Sequence, residues 1–161
     1  MRRLLIPVLA LAAAAPAAAQ QQSLGVFGLW GAFAEKNRCF AISEPLQPRR
    51  NGRSRAFASV GWFPAQGVKG QLHIRFAEPK RQGSAVLLRI DERTFQLVGG
   101  GQNAWAPDPR ADAEIVAAMR SGLEMRVETR NSRGGLMRES FALRGAATAL
   151  DAAAIACAPK R

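Results

Sequence analysis

The stretch LMRESFALRGAATALDAAAIAC, residues 136–157, decides how this chain is read. Phe141 and Leu143 alternate with Ser140 and Ala142, the period-2 pattern of a strand with one apolar face. Arg144-Gly145 breaks that strand. From Ala146 to Cys157 the spacing turns helical: Leu143, Ala147, Leu150, Ala154 and Cys157 fall close to one stripe. Alanine favours helix, yet a segment of about twelve residues is marginal alone in water. The helix therefore needs a surface to lie on, and its small side chains allow close approach to a sheet. Cys157 closes it, and the only other cysteine is Cys39, near the opposite end. The expectation is a sheet in the middle of the chain, with this helix and a disulfide tying the two ends together.

Working outward, strand-type patterns fill most of the chain. Trp30-Gly31-Ala32-Phe33 reads as a short strand, Glu35-Lys36-Asn37 as a turn, and residues 39–43 as a second strand. Cys39 and Ala41 lie on one face of it, Phe40 and Ile42 on the other. Residues 20–23 are polar and expected to be an unstructured leader. Residues 56–63 form a strand with Phe57, Val60 and Trp62, and residues 64–70 a turn. In residues 71–76, Leu72, Ile74 and Phe76 point inward, His73 and Arg75 outward. Residues 85–90 and 94–98 make a hairpin around Asp91-Glu92-Arg93. Residues 103–108 form a Pro-bounded loop in which Trp105 is expected to fold back and plug the end of a sheet, with partner contact as its functional alternative.

One mid-chain helix spans about 111–121. Asp108 or Asp112 can cap it, Ile115, Val116 and Met119 make its apolar stripe, and Gly122 stops it. Residues 123–128 return to strand, with Leu123, Met125 and Val127 inward. About eight strands, one inserted helix and one C-terminal helix predict a mainly β fold: an antiparallel β-sandwich or partly open barrel.

Residues 1–19 have the order of a secretory signal peptide: basic Arg2-Arg3, an apolar run over 4–15, then Ala17-Ala18-Ala19 as cleavage site. No second apolar run is long enough to span a bilayer, so no transmembrane segment is expected in the mature chain, 20–161, which has the size of one domain. Export places the cysteine pair in an oxidising compartment, where a Cys39–Cys157 bridge is the default; two unpaired buried thiols are the alternative. The whole chain has 23 Lys and Arg against 12 Asp and Glu, a formal net charge of +11. Basicity concerns partners rather than fold. In an envelope the acidic partners are lipid head groups, lipopolysaccharide phosphates and acidic wall polymers; export argues against nucleic acid. Arg49, Arg50, Arg53 and Arg55 form the densest positive cluster, around an Asn51-Gly52 hairpin turn. That cluster is a candidate anion-binding tip, weighed against a plainly solvated loop end.

Chemistry has little to build on. The single histidine, His73, lies on the polar side of a strand with no nucleophile or acid at a telling spacing. A zinc site has too few ligands once the cysteines are paired, and no Gly-rich phosphate loop or Gly-x-Ser-x-Gly elbow is present. No catalytic residue, metal ligand or cofactor is assigned. Asp91, Glu92, Asp108, Asp112, Glu114, Glu124 and Glu128 leave a carboxylate-dependent wall-glycan hydrolase as an alternative, if two of them meet in a cleft.

In order, these residues resemble the invasion-associated locus B family of exported bacterial proteins. Trp30 follows the mature start, Cys39 precedes Ser43 and Pro45, and Ile90-Asp91 precedes Phe95 and Leu97. Ala104-Trp105 precedes a helix ending Ala118-Met119. Ser132-Arg133-Gly134 follows, then Phe141-Ala142-Leu143-Arg144-Gly145, Ala149-Leu150 and Cys157. The chain departs from the pattern where another cysteine is expected near Trp30; Phe33-Ala34 stands there. The resemblance implies a periplasmic or secreted, envelope-associated β-rich protein, non-enzymatic, linked in some bacteria to host-cell entry. Anionic lipid, lipopolysaccharide or another envelope protein are the expected partners, and an inhibitor or chaperone of another exported protein is a further alternative.

Overall fold

A computed structural model describes residues 21–47 and 55–159. The leader 1–19 and three of the four clustered arginines, Arg49, Arg50 and Arg53, lie outside the described residues. Ten strands form one antiparallel sheet: β1 (Gln22–Phe27), β2 (Trp30–Glu35), β3 (Arg38–Ser43), β4 (Phe57–Phe63), β5 (Val68–Arg75), β6 (Val86–Ile90), β7 (Arg93–Gly100), β8 (Asn103–Trp105), β9 (Glu124–Arg130) and β10 (Leu136–Ala142). Helix α1 (Pro109–Ser121) is inserted between β8 and β9, and α2 (Ala146–Ala156) follows β10. The order across the sheet is β1-β2-β3-β4-β5-β8-β7-β6-β9-β10, open between β1 and β10. The fold is mainly antiparallel β with one inserted and one C-terminal helix.

The period-2 pattern explains which face is dry. Ala32, Ala41, Ala58 and Val60 face inward from β2, β3 and β4; Leu72 and Ile74 from β5; Val86, Leu88 and Ile90 from β6; Met125 and Val127 from β9; Met137 and Phe141 from β10. The helices lie on that face. Helix α2 packs across β1 to β4, and α1 against β5 and β7. The inner side chains of β2 and β3, Ala32 and Ala41, are small and directly paired. Ala146, Ala149, Leu150 and Ala153 of α2 are buried over the sheet, so alanine meets alanine and the backbones approach closely. The buried stripe is thus one position off the 147/154 stripe expected; in a helix that is nearly all alanine, hydrophobic contrast does not mark the face.

The cysteine bridge is present: Cys39 at the start of β3 joins Cys157 at the end of α2, with Cα atoms 5.7 Å apart across 118 positions. The sheet's two ends also meet. The Trp30 indole donates to the Ala142 carbonyl at 2.9 Å, and the Leu46 amide to Ser140 O at 2.7 Å. Gly28, in the β1–β2 turn, abuts the Arg144 carbonyl, and Gly145 abuts the Phe27 carbonyl. Gly145 has φ +89°, and a Cβ there would overlap the Phe27 oxygen. Gly145→Ala is therefore expected to destabilise by about 2–3 kcal/mol, through left-handed strain plus forced separation of the two turns. Urea denaturation checks this, and Gly67→Ala is a control: positive φ again, but open space around the new methyl.

Several local expectations are corrected. Gln22 and Ser23 are not a loose leader but begin β1, whose amides pair with β2 through Ser23↔Phe33 and Gly25↔Ala32. Residues 68–70 belong to β5 rather than to a turn, after a short 3-10 segment at Pro64–Gln66. Residues 103–105 are strand, not loop, because Gly101 at φ +58° turns the chain back so that Asn103 and Ala104 pair with Gly100 and Gly99. Leu123 is not inward: it precedes β9 and is 81% exposed. Its amide and that of Glu124 donate to the Asp91 carboxylate, at 3.2 Å, which holds the β6–β7 turn against the start of β9.

Asp108 caps α1 as expected, accepting from Ala111 N at 2.8 Å. Asp112 does something else. It is 8% exposed and accepts from the Leu72 amide, at 2.8 Å, on the inner side of β5. Burial raises its pKa above the usual carboxylate value; the Leu72 hydrogen bond opposes this and Asp108 adds to it. A folded pKa above the unfolded one means that the folded state holds the proton more tightly. Stability then falls as pH rises from the unfolded pKa through the raised folded one, and is level above it. Asp112→Asn, which can still accept from Leu72, is expected to remove that slope and leave stability at pH 7 equal or slightly higher. Asp112→Ala strands the Leu72 amide and should cost about 1–3 kcal/mol. Urea melts at several pH values separate the two.

Candidate functional site

The outer face of the sheet is not uniformly polar. Strand register lines up three cross-strand rows on it. Phe33, Phe40, Gly61 and Gln71 make the first. Gly31, Ile42, Ser59, His73, Trp105 and Val98 make the second. Phe57, Arg75 and Asn103 make the third. The small residues Ser59 and Gly61 sit centrally on β4, with Phe57 and Phe63 at either end of that strand. Phe40 stands on the β3 side, His73 on the β5 side. The result is a cup of about 370 Å³ whose floor is low because the residues there are small. That volume is near the lower end of small-ligand sites, ~300–1,000 Å³.

The rings hold one another in place. Phe33 and Phe40 stack with centroids 5.5 Å apart. Phe57 meets His73 edge-on at 5.2 Å, and His73 stacks on Trp105 at 5.3 Å with an interplanar angle of 7°. His73 Nε2 lies 2.9 Å from Asn103 Oδ1. These contacts fix ring positions before any ligand arrives, which lowers the ordering cost of binding. At the rim, the Arg38 guanidinium lies 5.0 Å from the Phe40 centroid and holds Glu35 through two hydrogen bonds, 2.8 and 3.1 Å. That bond lowers the Glu35 pKa and raises that of Arg38.

Within the cup, the Ser59 hydroxyl and the Gln71 carboxamide make no side-chain hydrogen bond to any described residue. A wider hollow, about 560 Å³, between residues 81–85 and β9 is different. Three of its polar groups are already engaged: Ser84 Oγ with Arg81 O at 2.7 Å, Thr129 Oγ1 with Ala85 O at 2.8 Å, Glu128 with Arg138 at 2.6 Å. In the cup, leftover polar capacity stands beside aromatic surface.

Trp105 therefore does not plug a sheet end. It stands on the outer face of β8, 36% exposed, as the partner-contact alternative requires. Arg55 is exposed and 3.5 Å from Glu44. Cys39 and Cys157 are consumed by their bridge. The carboxylates are dispersed: Asp91 braces a turn, Asp108 caps, Asp112 is buried, and Glu114, Glu124 and Glu128 pair with Arg110, Arg126 and Arg138. Among the described residues no cluster of three or more His, Cys, Asp or Glu is placed to hold a metal ion, and no helix is long and apolar enough to cross a membrane. The cup was missed in the sequence although the signal was there. Phe33, Phe40, Phe57 and Phe63 occupy outward phases where polar residues are the rule.

Fold and face together define a class: an open antiparallel β sheet, lined by helices on its inner side and stapled end to end, with an aromatic cup outside. Comparison with family models, with characterised proteins and with solved structures finds no match to this chain.

Proposed function

We propose that this chain is an exported, envelope-associated binding protein without catalytic activity, which engages an anionic envelope component or another envelope protein. The observation that carries the reading is the strongly basic balance of the chain, 23 Lys and Arg against 12 Asp and Glu, net charge +11. Export is supported by the leader-like order of residues 1–19 and by the Cys39–Cys157 bridge, which persists in oxidising compartments. The resemblance to invasion-associated locus B proteins points the same way, to the periplasm or cell exterior, and a role in host entry rests on that resemblance alone. Anionic lipid and lipopolysaccharide are the ligands that the charge favours.

Co-sedimentation with lipopolysaccharide and with anionic vesicles, against zwitterionic vesicles, tests this. Binding is expected to weaken as salt rises, since charge contacts are screened. It is also expected to fall in an Arg49→Ala/Arg50→Ala/Arg53→Ala/Arg55→Ala variant. Binding that ignores both salt and the arginines would overturn the basic-surface mechanism.

A further inference from the structure

We infer that the cup on β3, β4, β5 and β8 is a saccharide site that takes an amide-bearing hexose unit of an envelope glycan. The inference rests on the binding-protein reading above and names the ligand class of one surface of it. Three properties of the cup select the ligand. Its walls are aromatic, its volume is about 370 Å³, and two of its polar side chains, Ser59 and Gln71, have no side-chain hydrogen bond among the described residues. An acyl chain would fill the walls but cover a hydroxyl and a carboxamide with nothing to bond them, at a desolvation cost for each. A free anion would use neither the rings nor the amide. A sugar ring matches both: its C–H groups meet aromatic surface and its oxygens lie at the edge, within reach of polar neighbours. Gln71 offers an N–H pair and a carbonyl, the complement of an acetamido group.

A nucleobase is the nearest competitor, because stacking platforms on basic sheets bind single strands. Such platforms need an open flat ring face. Here His73 and Trp105 occupy each other's faces, and Val98 flanks Trp105 in the same cross-strand row. The Phe57 ring meets His73 edge-on. A puckered ring with C–H and oxygen on different sides uses this mixture of faces and edges better than a planar base does.

The probe is triacetylchitotriose, titrated into the oxidised protein by calorimetry, with maltotriose as the sugar lacking amides and a short oligothymidylate as the competing class. Saturable binding of triacetylchitotriose is expected, weaker or absent for maltotriose, and insensitive to salt. Gln71→Ala and Ser59→Ala should each weaken it by about two- to tenfold, the worth of one hydrogen bond. Trp105→Ala should weaken it comparably through the loss of wall. The four-arginine variant should bind the trisaccharide as the wild type does. Because these cup positions are surface ones, circular dichroism is expected to be unchanged in all three variants. Pelleting with purified wall sacculi would place the natural source in the wall; retention on lipopolysaccharide without pelleting would place it in the outer-leaflet carbohydrate. No saturable trisaccharide binding overturns the inference, as does oligothymidylate binding that the cup variants abolish. Either failure leaves salt-dependent binding to anionic vesicles intact, so the broader reading stands or falls on its own experiment.

Discussion

Replacing Cys39 and Cys157 together by serine is expected to lower stability by about 4–5 kcal/mol, because the bridge closes a loop spanning 118 positions. The figure follows from the entropy denied to the unfolded chain, and residual structure in that chain would bring the observed value below it. A loss of this size is a large part of what an ordinary domain has in total, ~5–15 kcal/mol. The position of the bridge matters as much as its loop length. Cys39 is on the inner face of β3, and Cys157 ends a helix of eleven residues that is marginal without a support. Without the bridge, α2 is held on β1 to β4 by alanine contacts and Leu150. These bury little area per residue, so the helix should be the first element to fray. Urea unfolding of the double-serine variant, together with amide exchange along residues 146–156, tests both parts. Matching mobility of the wild type on reducing and non-reducing gels, with two thiols titratable after denaturation, would remove the premise.

The sequence announced this arrangement because the change from period 2 to period 3.6 at Arg144-Gly145 is abrupt. The hairpins of β2–β3 and β6–β7 were equally plain, since one face of each is buried. Elements without a one-sided pattern were not legible. Strand β1 carries Gln22, Ser23 and Gly25 at a sheet edge, where little is buried and alternation has nothing to record. Strand β8 is three residues long, after a glycine run and before a proline, so its strand character comes from partners on β5 and β7 and not from its own residues. Leu123 reads as core by type, yet it sits just ahead of the strand, where the Asp91 carboxylate holds its backbone and leaves the side chain in water. The cup failed to show for a further reason. Phe40, Phe57, Phe63, His73 and Trp105 come from β3, β4, β5 and β8, and only register makes them neighbours. In one dimension they are isolated aromatics at the wrong phase.

Trp30→Ala is the substitution expected to cost most among single changes away from the cysteines, about 3–5 kcal/mol. Trp30 is fully buried, begins β2 beside the Gly28 turn, and is bonded through its indole to Ala142 O on β10, 112 positions away. Nearby, Ser43 Oγ donates to Leu29 O at 2.8 Å and ties the same turn to β3. The two edge strands share no ladder, so their approach depends on this ring, on the Leu46–Ser140 hydrogen bond and on glycine contacts at Gly28 and Gly145. Truncation to alanine removes the largest buried side chain there and leaves the Ala142 carbonyl without its donor. Trp30→Phe separates the two losses. It keeps most of the packing but not the hydrogen bond, and should cost about 1–3 kcal/mol. Equal costs for the two variants would show that the indole bond, and not the packing, holds the ends together. A cost below about 1 kcal/mol for alanine would mean that the sheet ends do not depend on this contact. With the cysteines replaced as well, the summed loss approaches the whole stability of a typical domain. The triple variant Cys39→Ser/Cys157→Ser/Trp30→Ala is therefore expected to be unfolded at 37 °C, with no cooperative thermal transition by circular dichroism.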